Sequence, residues 1–298
     1  MKNIEQNKYY IWLSTIDELS TREKIKLLNK YKDPKTLFNK TKKELEEELS
    51  DYFENPSKII KEITNLYYKI RLEINIKNIQ KYKLKVLSYK DKEYPKQLKY
   101  ISDYPICLYC KGNIELLNKT KKIAIIGCRD YSKYGEKIAK EFAYKLAQEN
   151  IVIVSGGARG IDSFAHQGTL NAHKETIVVL GNGIDYIYPP ENRELEEQIL
   201  QSNGLIISEY VIGTKPSKYT FPARNRIISG ISSGVLVIEA KQKSGTLITV
   251  DFALEQGKNI YAIPGNIDNK NASGTNELIK QGAKLVTMPE EILEDFKY

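Results

Sequence analysis

The chain has 298 residues, 41% hydrophobic and 28% charged, a composition that supports a globular protein with a real core. No apolar run approaches the roughly 20 residues of a membrane-spanning helix. Residues 1–10 are too polar for a secretory leader, and three cysteines (Cys107, Cys110, Cys128) are too few for a disulfide framework, so a cytoplasmic location is expected. The formal net charge of +8 is unevenly placed: residues 1–120 carry 25 Lys and Arg against 17 Asp and Glu, whereas residues 121–298 carry 21 against 21. A polyanionic partner fits this excess, and so does a Lys-rich solvated surface; the second half needs a local cluster to bind nucleic acid.

Residues 1–76 read as a small helical domain. Ile25, Leu27, Leu28, then Leu37, Phe38, Leu45 and Leu49 recur at helical spacing. Thr41 followed by Glu44 fits a capping box, and Asp33-Pro34 marks a turn between helices. Residues 77–119 read as a connector with short strands near 86–89 and 106–109, punctuated by Tyr94-Pro95, Tyr104-Pro105 and Lys111-Gly112-Asn113.

From residue 120 to 298 the pattern is regular. Runs rich in Ile and Val fall at 123–126, 151–154, 176–180, 205–207, 235–238, 260–263 and 284–286. Amphipathic segments separate them, among them 134–150, 192–201 and 247–256. Runs this apolar suit strands covered on both faces, and strand–helix alternation predicts an α/β domain with a doubly wound, mainly parallel sheet.

In such a sheet the ligand crevice lies beyond the carboxyl ends of the strands, so the residues that follow each run are the candidates. Arg129 and Ser132 follow the first run. Gly156, Gly157, Arg159 and Gly160 follow the second, in a loop where free amides at a helix start favour an anion. Neither glycine loop carries the dinucleotide fingerprint, and Ser244-Gly245-Thr246 lacks Walker spacing. After the fourth run, Lys218, Phe221, Arg224, Asn225 and Arg226 interleave cations with an aromatic ring, as does Tyr219; a basic track with stacking rings suits single strands. The bland alternative is that individual arginines pair with Asp162, Glu209 or Glu239. Catalytic and metal readings are weaker. His166 fits a structural hydrogen bond, and Cys107-x-x-Cys110 is a lone pair without a second ligand set. Cys128 at a helix start is a candidate low-pKa thiol with no His nearby in sequence.

The ordered motifs resemble the DNA-processing protein A family, also called Smf. They are Gly127-x-Arg129-x-x-Ser132-x-Tyr134-Gly135, Ser155-Gly156-Gly157-Ala158-x-Gly160-Ile161-Asp162, and Gly183-Ile184-Asp185-x-x-Tyr188-Pro189-x-x-Asn192. Three more follow: Phe221-Pro222-x-Arg224-Asn225-Arg226, Glu239-Ala240 through Ser244-Gly245-Thr246, and Pro264-Gly265 through Gly274-Thr275-Asn276. Together they cover essentially all of residues 121–287. The resemblance implies an extended Rossmann-like domain that binds single-stranded DNA in a basic pocket, forms a homodimer and loads RecA onto incoming strands during natural transformation. It also implies a small N-terminal domain of the sterile-alpha-motif or helix-hairpin-helix type. By resemblance Arg129 is the principal phosphate anchor, Gly156, Gly157 and Arg159 form the loop, and Lys218, Arg224, Asn225 and Arg226 follow the strand's path; Arg193, after the Tyr-Pro motif, is added to them. The sequence ends at Tyr298, so the winged-helix-like domain of many members is not expected, and Cys128 stands where a small hydroxyl residue is common.

On these grounds the chain is expected to be a binding protein without cofactor or metal, not an enzyme. The same sheet also resembles nucleotide hydrolases of the lysine-decarboxylase-like class, which release a base from a nucleoside monophosphate. Their Pro-Gly-Gly-x-Gly-Thr motif is interrupted here between Pro264-Gly265-Asn266 and Gly274-Thr275. A nucleotide-sensing module is the third alternative.

Overall fold

Local capping chemistry cuts the start of the chain into six short helices: α1 (Lys2–Ser14), α2 (Thr21–Tyr31), α3 (Pro34–Asn39), α4 (Lys42–Leu49), α5 (Pro56–Thr64) and α6 (Leu66–Lys81). The computed structural model describes residues 2–296. Thr41 and Glu44 form the expected capping box on α4, Ser20 and Glu23 form a second on α2, and Asp33 caps α3 ahead of Pro34. The last helix runs to Lys81, past the boundary expected at residue 76.

Nine strands among the described residues form one sheet in the order β1-β2-β6-β5-β4-β3-β7-β8-β9. They are β1 (Lys85–Ser88), β2 (Cys107–Gly112), β3 (Lys122–Ile126), β4 (Val152–Ser155), β5 (Thr176–Leu180), β6 (Leu205–Ser208), β7 (Gly234–Val237), β8 (Asn259–Ala262) and β9 (Lys284–Leu285). From β3 onward all pairings are parallel, as a doubly wound sheet requires. The crossovers carry α7 (Lys133–Gln148), α8 (Ile161–Asn171), α9 (Arg193–Gln201), α10 (Thr220–Ile231), α11 (Gly245–Glu255) and α12 (Ser273–Lys280), and α13 (Glu290–Leu293) follows β9. β3 to β7 are buried along their whole length, which explains their unbroken apolar runs; β9 lies exposed at the edge. Succession runs outward from β3 in one direction through β4, β5 and β6, and in the other through β7, β8 and β9. The switch point therefore lies over β3 and its neighbours.

The expected connector is not separate from this sheet. β1 and β2 pair antiparallel, and β2 adds antiparallel to β6, extending the sheet by two strands. The helical segment is tied to the same edge. Asn3 of α1 pairs with the Val86 backbone through both halves of its amide, donating to the carbonyl at 2.9 Å and accepting from the N–H at 3.1 Å. Asn7 donates to Val86 O at 3.0 Å and to the buried Asp91 carboxylate at 2.9 Å. Trp12, Leu27, Leu37 and Leu45 share one continuous core with Val86, Tyr109, Ile206 and Val211. No helix among the described residues is long and apolar enough to cross a membrane.

Asn7→Ala removes a buried donor from Asp91 and from the β1 backbone. It is expected to lower stability by about 1–3 kcal/mol, seen as a lower urea midpoint at unchanged slope in a single transition. A midpoint unmoved by the substitution contradicts the role given to this junction.

Candidate nucleic-acid interface

The crevice is built around one buried cation. α10 starts at Thr220, so Arg224 and Arg226 stand two residues apart on a helix and face different ways. Arg224, 3% exposed, donates from Nη1 to the Gly156 carbonyl at 2.5 Å and to the Val179 carbonyl, joining α10 to the ends of β4 and β5. Asp162 accepts from the amides of Gly156 and Ala158 at 3.2 and 3.3 Å and lies beside the same guanidinium. A Cβ on Gly156 would stand 2.7 Å from both Arg224 Nη2 and Asp162 Oδ2, so only glycine leaves room for this arrangement. Burial lowers the Arg224 pKa to about 10, which leaves it charged at neutral pH. Burial raises that of Asp162, and Arg224 opposes the shift.

A second anchor holds the loop after β3. Glu239, at the end of β7, accepts from the Ser132 amide at 3.0 Å and the Ser132 hydroxyl at 2.5 Å, while Ser132 caps α7 by accepting from the Gly135 amide. This fixes the turn that presents Arg129. Gly160, with φ +81°, lets α8 start against that turn; a Cβ there would lie 2.6 Å from the Cys128 carbonyl.

Above these anchors the crevice has two lobes. The larger, about 470 Å³, is lined by Arg129, Lys218, Phe221, Asn225, Lys241 and Thr246, with Arg224 in its wall. The smaller, about 310 Å³, is lined by Gly156, Gly157, Arg159, Asn182, Tyr188 and Phe221. Arg129 and Phe221 belong to both lobes, and the guanidinium lies 5.4 Å from the ring centroid. Tyr188 faces Phe221 at 5.5 Å. Asn192 donates to the Gly157 carbonyl at 2.8 Å and closes the glycine loop from the side.

The structure thus gathers Arg129, Gly156, Gly157, Arg159, Lys218, Phe221, Arg224 and Asn225 at one crevice. Four expected site residues stand outside its lining. Arg226 is 3% exposed and makes a two-point ion pair with Glu209 at 2.6 Å for each bond, with its Nε donating to the Asp103 carbonyl. Ser132 is taken up by Glu239, Gly160 shapes the loop from beneath, and Arg193 is exposed on the first turn of α9. Two cations within the crevice carry partners: Arg159 pairs with Glu191 at 2.5 Å and Lys241 with Asp130 at 2.8 Å. Lys241, Tyr188 and Asn182 were not singled out as site residues. All three follow strand ends, the position that marked the others.

The groups weighed for catalysis are occupied. His166 is fully buried, shares a 2.8 Å hydrogen bond with Thr176, and burial lowers its pKa to about 3. Cys128 is not a low-pKa thiol: burial, with Glu239 beside it, pushes it up to about 12. Among the described residues no group of three or more His, Cys, Asp and Glu is placed to hold a metal.

A doubly wound sheet with a cationic, ring-lined crevice over its glycine loop places the protein in the Rossmann-like class. The chain belongs to the DNA recombination-mediator protein A family, whose sequence profile matches residues 85–297. Protein Smf of Escherichia coli is 45% identical over 205 residues, 69% of this chain and 54% of that protein, so the chain matches about half of that relative. DNA processing protein DprA of Streptococcus pneumoniae is also 45% identical over 205 residues, 72% of its length. The X-ray structure of DprA from Streptococcus pneumoniae aligns with a TM-score of 0.74 at 35% identity, over 94% of this chain and 99% of that one. DNA processing protein A of Helicobacter pylori, described for its single-stranded DNA binding mode, aligns with a TM-score of 0.65 at 32% identity, over 72% of this chain and 97% of that one.

The two arginines of α10 and the one after β3 separate framework from surface. Arg226→Ala strands the nearly buried Glu209 carboxylate and is expected to cost about 3–5 kcal/mol, whereas Arg129→Ala changes stability by less than about 0.5 kcal/mol. Thermal unfolding of both variants decides; equal losses contradict the division.

Proposed function

We propose that the chain binds single-stranded DNA across this crevice and acts as a recombination mediator, protecting incoming strands and loading RecA during natural transformation. The observation that carries the reading is Arg129. It is exposed, has no carboxylate within ion-pair distance among the described residues, and lies against Phe221 where the two lobes meet. A phosphate bound there places flanking bases beside Phe221 and Tyr188, a sequence-tolerant mode of holding a single strand. Family membership and the DNA-binding Helicobacter pylori relative support the same reading. RecA loading rests on the family resemblance. Binding rather than catalysis is supported by the commitments of Glu209, Glu239, His166 and Cys128 to the framework. The homodimer rests on the family resemblance, and exposed Leu254 at the end of α11, Leu285 in the edge strand β9 and Met288 after it leave apolar surface on that side of the chain. The cytoplasm is the compartment where such a protein meets its DNA.

Fluorescence anisotropy with labelled oligo-dT and the matching duplex tests the proposal. Binding is expected to favour the single strand and to weaken steeply with salt. Arg129→Ala is expected to weaken it about tenfold, the scale of one charged hydrogen bond, and to reduce the salt slope by about 0.7. Equal affinity for the duplex, an unaffected variant, or release of free base from nucleoside monophosphates contradicts the proposal.

A further inference from the structure

The crevice lies in the half of the chain whose charges balance; the whole excess of +8 lies in residues 1–120. Many cations of the helical segment are neutralised in local ion pairs and do not contribute to it. Lys8 pairs with Glu73, Lys40 with Glu44 and Glu48, Lys42 with Glu46, Lys58 with Glu23, and Arg71 with Asp17. One row differs. Arg22, Lys26 and Lys30 recur every fourth residue on α2, all exposed, and none lies within ion-pair distance of a carboxylate among the described residues. The rise of a helix sets successive members about 6 Å apart along one face, a spacing an extended nucleotide backbone can follow.

Two half-buried rings hold two of its three members in place. Lys26 Nζ lies 4.9 Å from the Tyr52 centroid and 4.8 Å from that of Phe53, and Lys30 Nζ lies 4.7 Å from Tyr52. The rings meet edge to face at 5.2 Å. Such contacts fix an ammonium group without neutralising it. The opposite side of α2 is turned inward, where Lys24 donates to the Ser14 carbonyl and Ile25 and Leu28 enter the core shared with the sheet. The ridge is thus carried on a helix whose inner face packs into a core shared with the sheet.

We infer that the α2 ridge of Arg22, Lys26 and Lys30 is a second single-stranded nucleic-acid contact, engaged by strands longer than the crevice holds. This rests on the crevice reading and extends it. The only apolar groups against the ridge among the described contacts, Tyr52 and Phe53, are half-buried and engaged by Lys26 and Lys30 rather than free to enter a lipid surface, and the regular cation spacing matches a repeating phosphate backbone better than an irregular acidic peptide.

The test compares oligo-dT of about six and about 40 nucleotides, the short one near the lower site sizes of single-strand binders, with the intact chain and with the triple variant Arg22→Gln, Lys26→Gln, Lys30→Gln. The triple variant is expected to bind the long strand about tenfold more weakly, with the salt slope reduced by about two for three lost phosphate contacts. Its affinity for the short strand should be unchanged, which also shows that the crevice is still folded. Lys26→Arg with Lys30→Arg should keep the long-strand affinity. No loss on the long strand, or an equal loss on both strands, overturns the inference. Failure of the intact chain to bind either strand overturns the crevice reading itself, and the inference with it.

Discussion

The crevice depends on the burial of one guanidinium. Arg224 reaches from α10 to the ends of β4 and β5, donating to the Gly156 carbonyl just past β4 and to the Val179 carbonyl of β5. A buried charge is tolerated only where its donors are met, and here the Gly156 and Val179 carbonyls accept from Nη1 and the Asn225 side-chain oxygen accepts from Nε, with the Asp162 charge nearby. Gly156 has no side chain because the guanidinium and the carboxylate fill the place a Cβ would take. The same contacts set the distance from α10 to the glycine loop, and so the position of Phe221 one turn earlier on that helix. The floor of the crevice is a charged framework member, and the cations open to a ligand stand above it.

That division organises the remaining charges. Arg226 and Glu209 stabilise the back of α10, and Glu239 with Ser132 stabilises the turn after β3. Both carboxylates sit at strand ends, where a catalytic role is easily imagined, and both are taken up by structure. Arg129 is left without a carboxylate partner among the described residues, on a turn whose geometry is fixed from two sides. A preorganised, unpaired cation beside an aromatic face is what a flexible polyanion needs, since the protein then loses little freedom on binding. Arg159 and Lys241, each paired with an exposed carboxylate, form a softer rim, because such pairs contribute little and give way to phosphate.

Much of this was legible in the sequence where the signal was local. The apolar runs of β3 to β8 and the Thr41–Glu44 capping box follow from periodicity and spacing, and glycines and arginines after strand ends marked most of the crevice. What was not legible came from longer range. The antiparallel addition of β2 to β6 joins segments about a hundred residues apart, so the stretch holding β1 and β2 read as a connector. Arg224, Asn225 and Arg226 read as one basic track until α10 turned the two arginines to different faces. Ser132 read as a ligand group, but its hydroxyl caps α7 and binds Glu239, a partner 107 residues away.

The central claim is that a single strand lies across the junction of Arg129 and Phe221. Photo-crosslinking with oligo-dT carrying one 5-iododeoxyuridine, with the joined peptide mapped by mass spectrometry, tests it most directly. The account predicts covalent adducts at Phe221 or Tyr188, the rings that flank the anchor. Adducts confined to peptides that line neither lobe would contradict it.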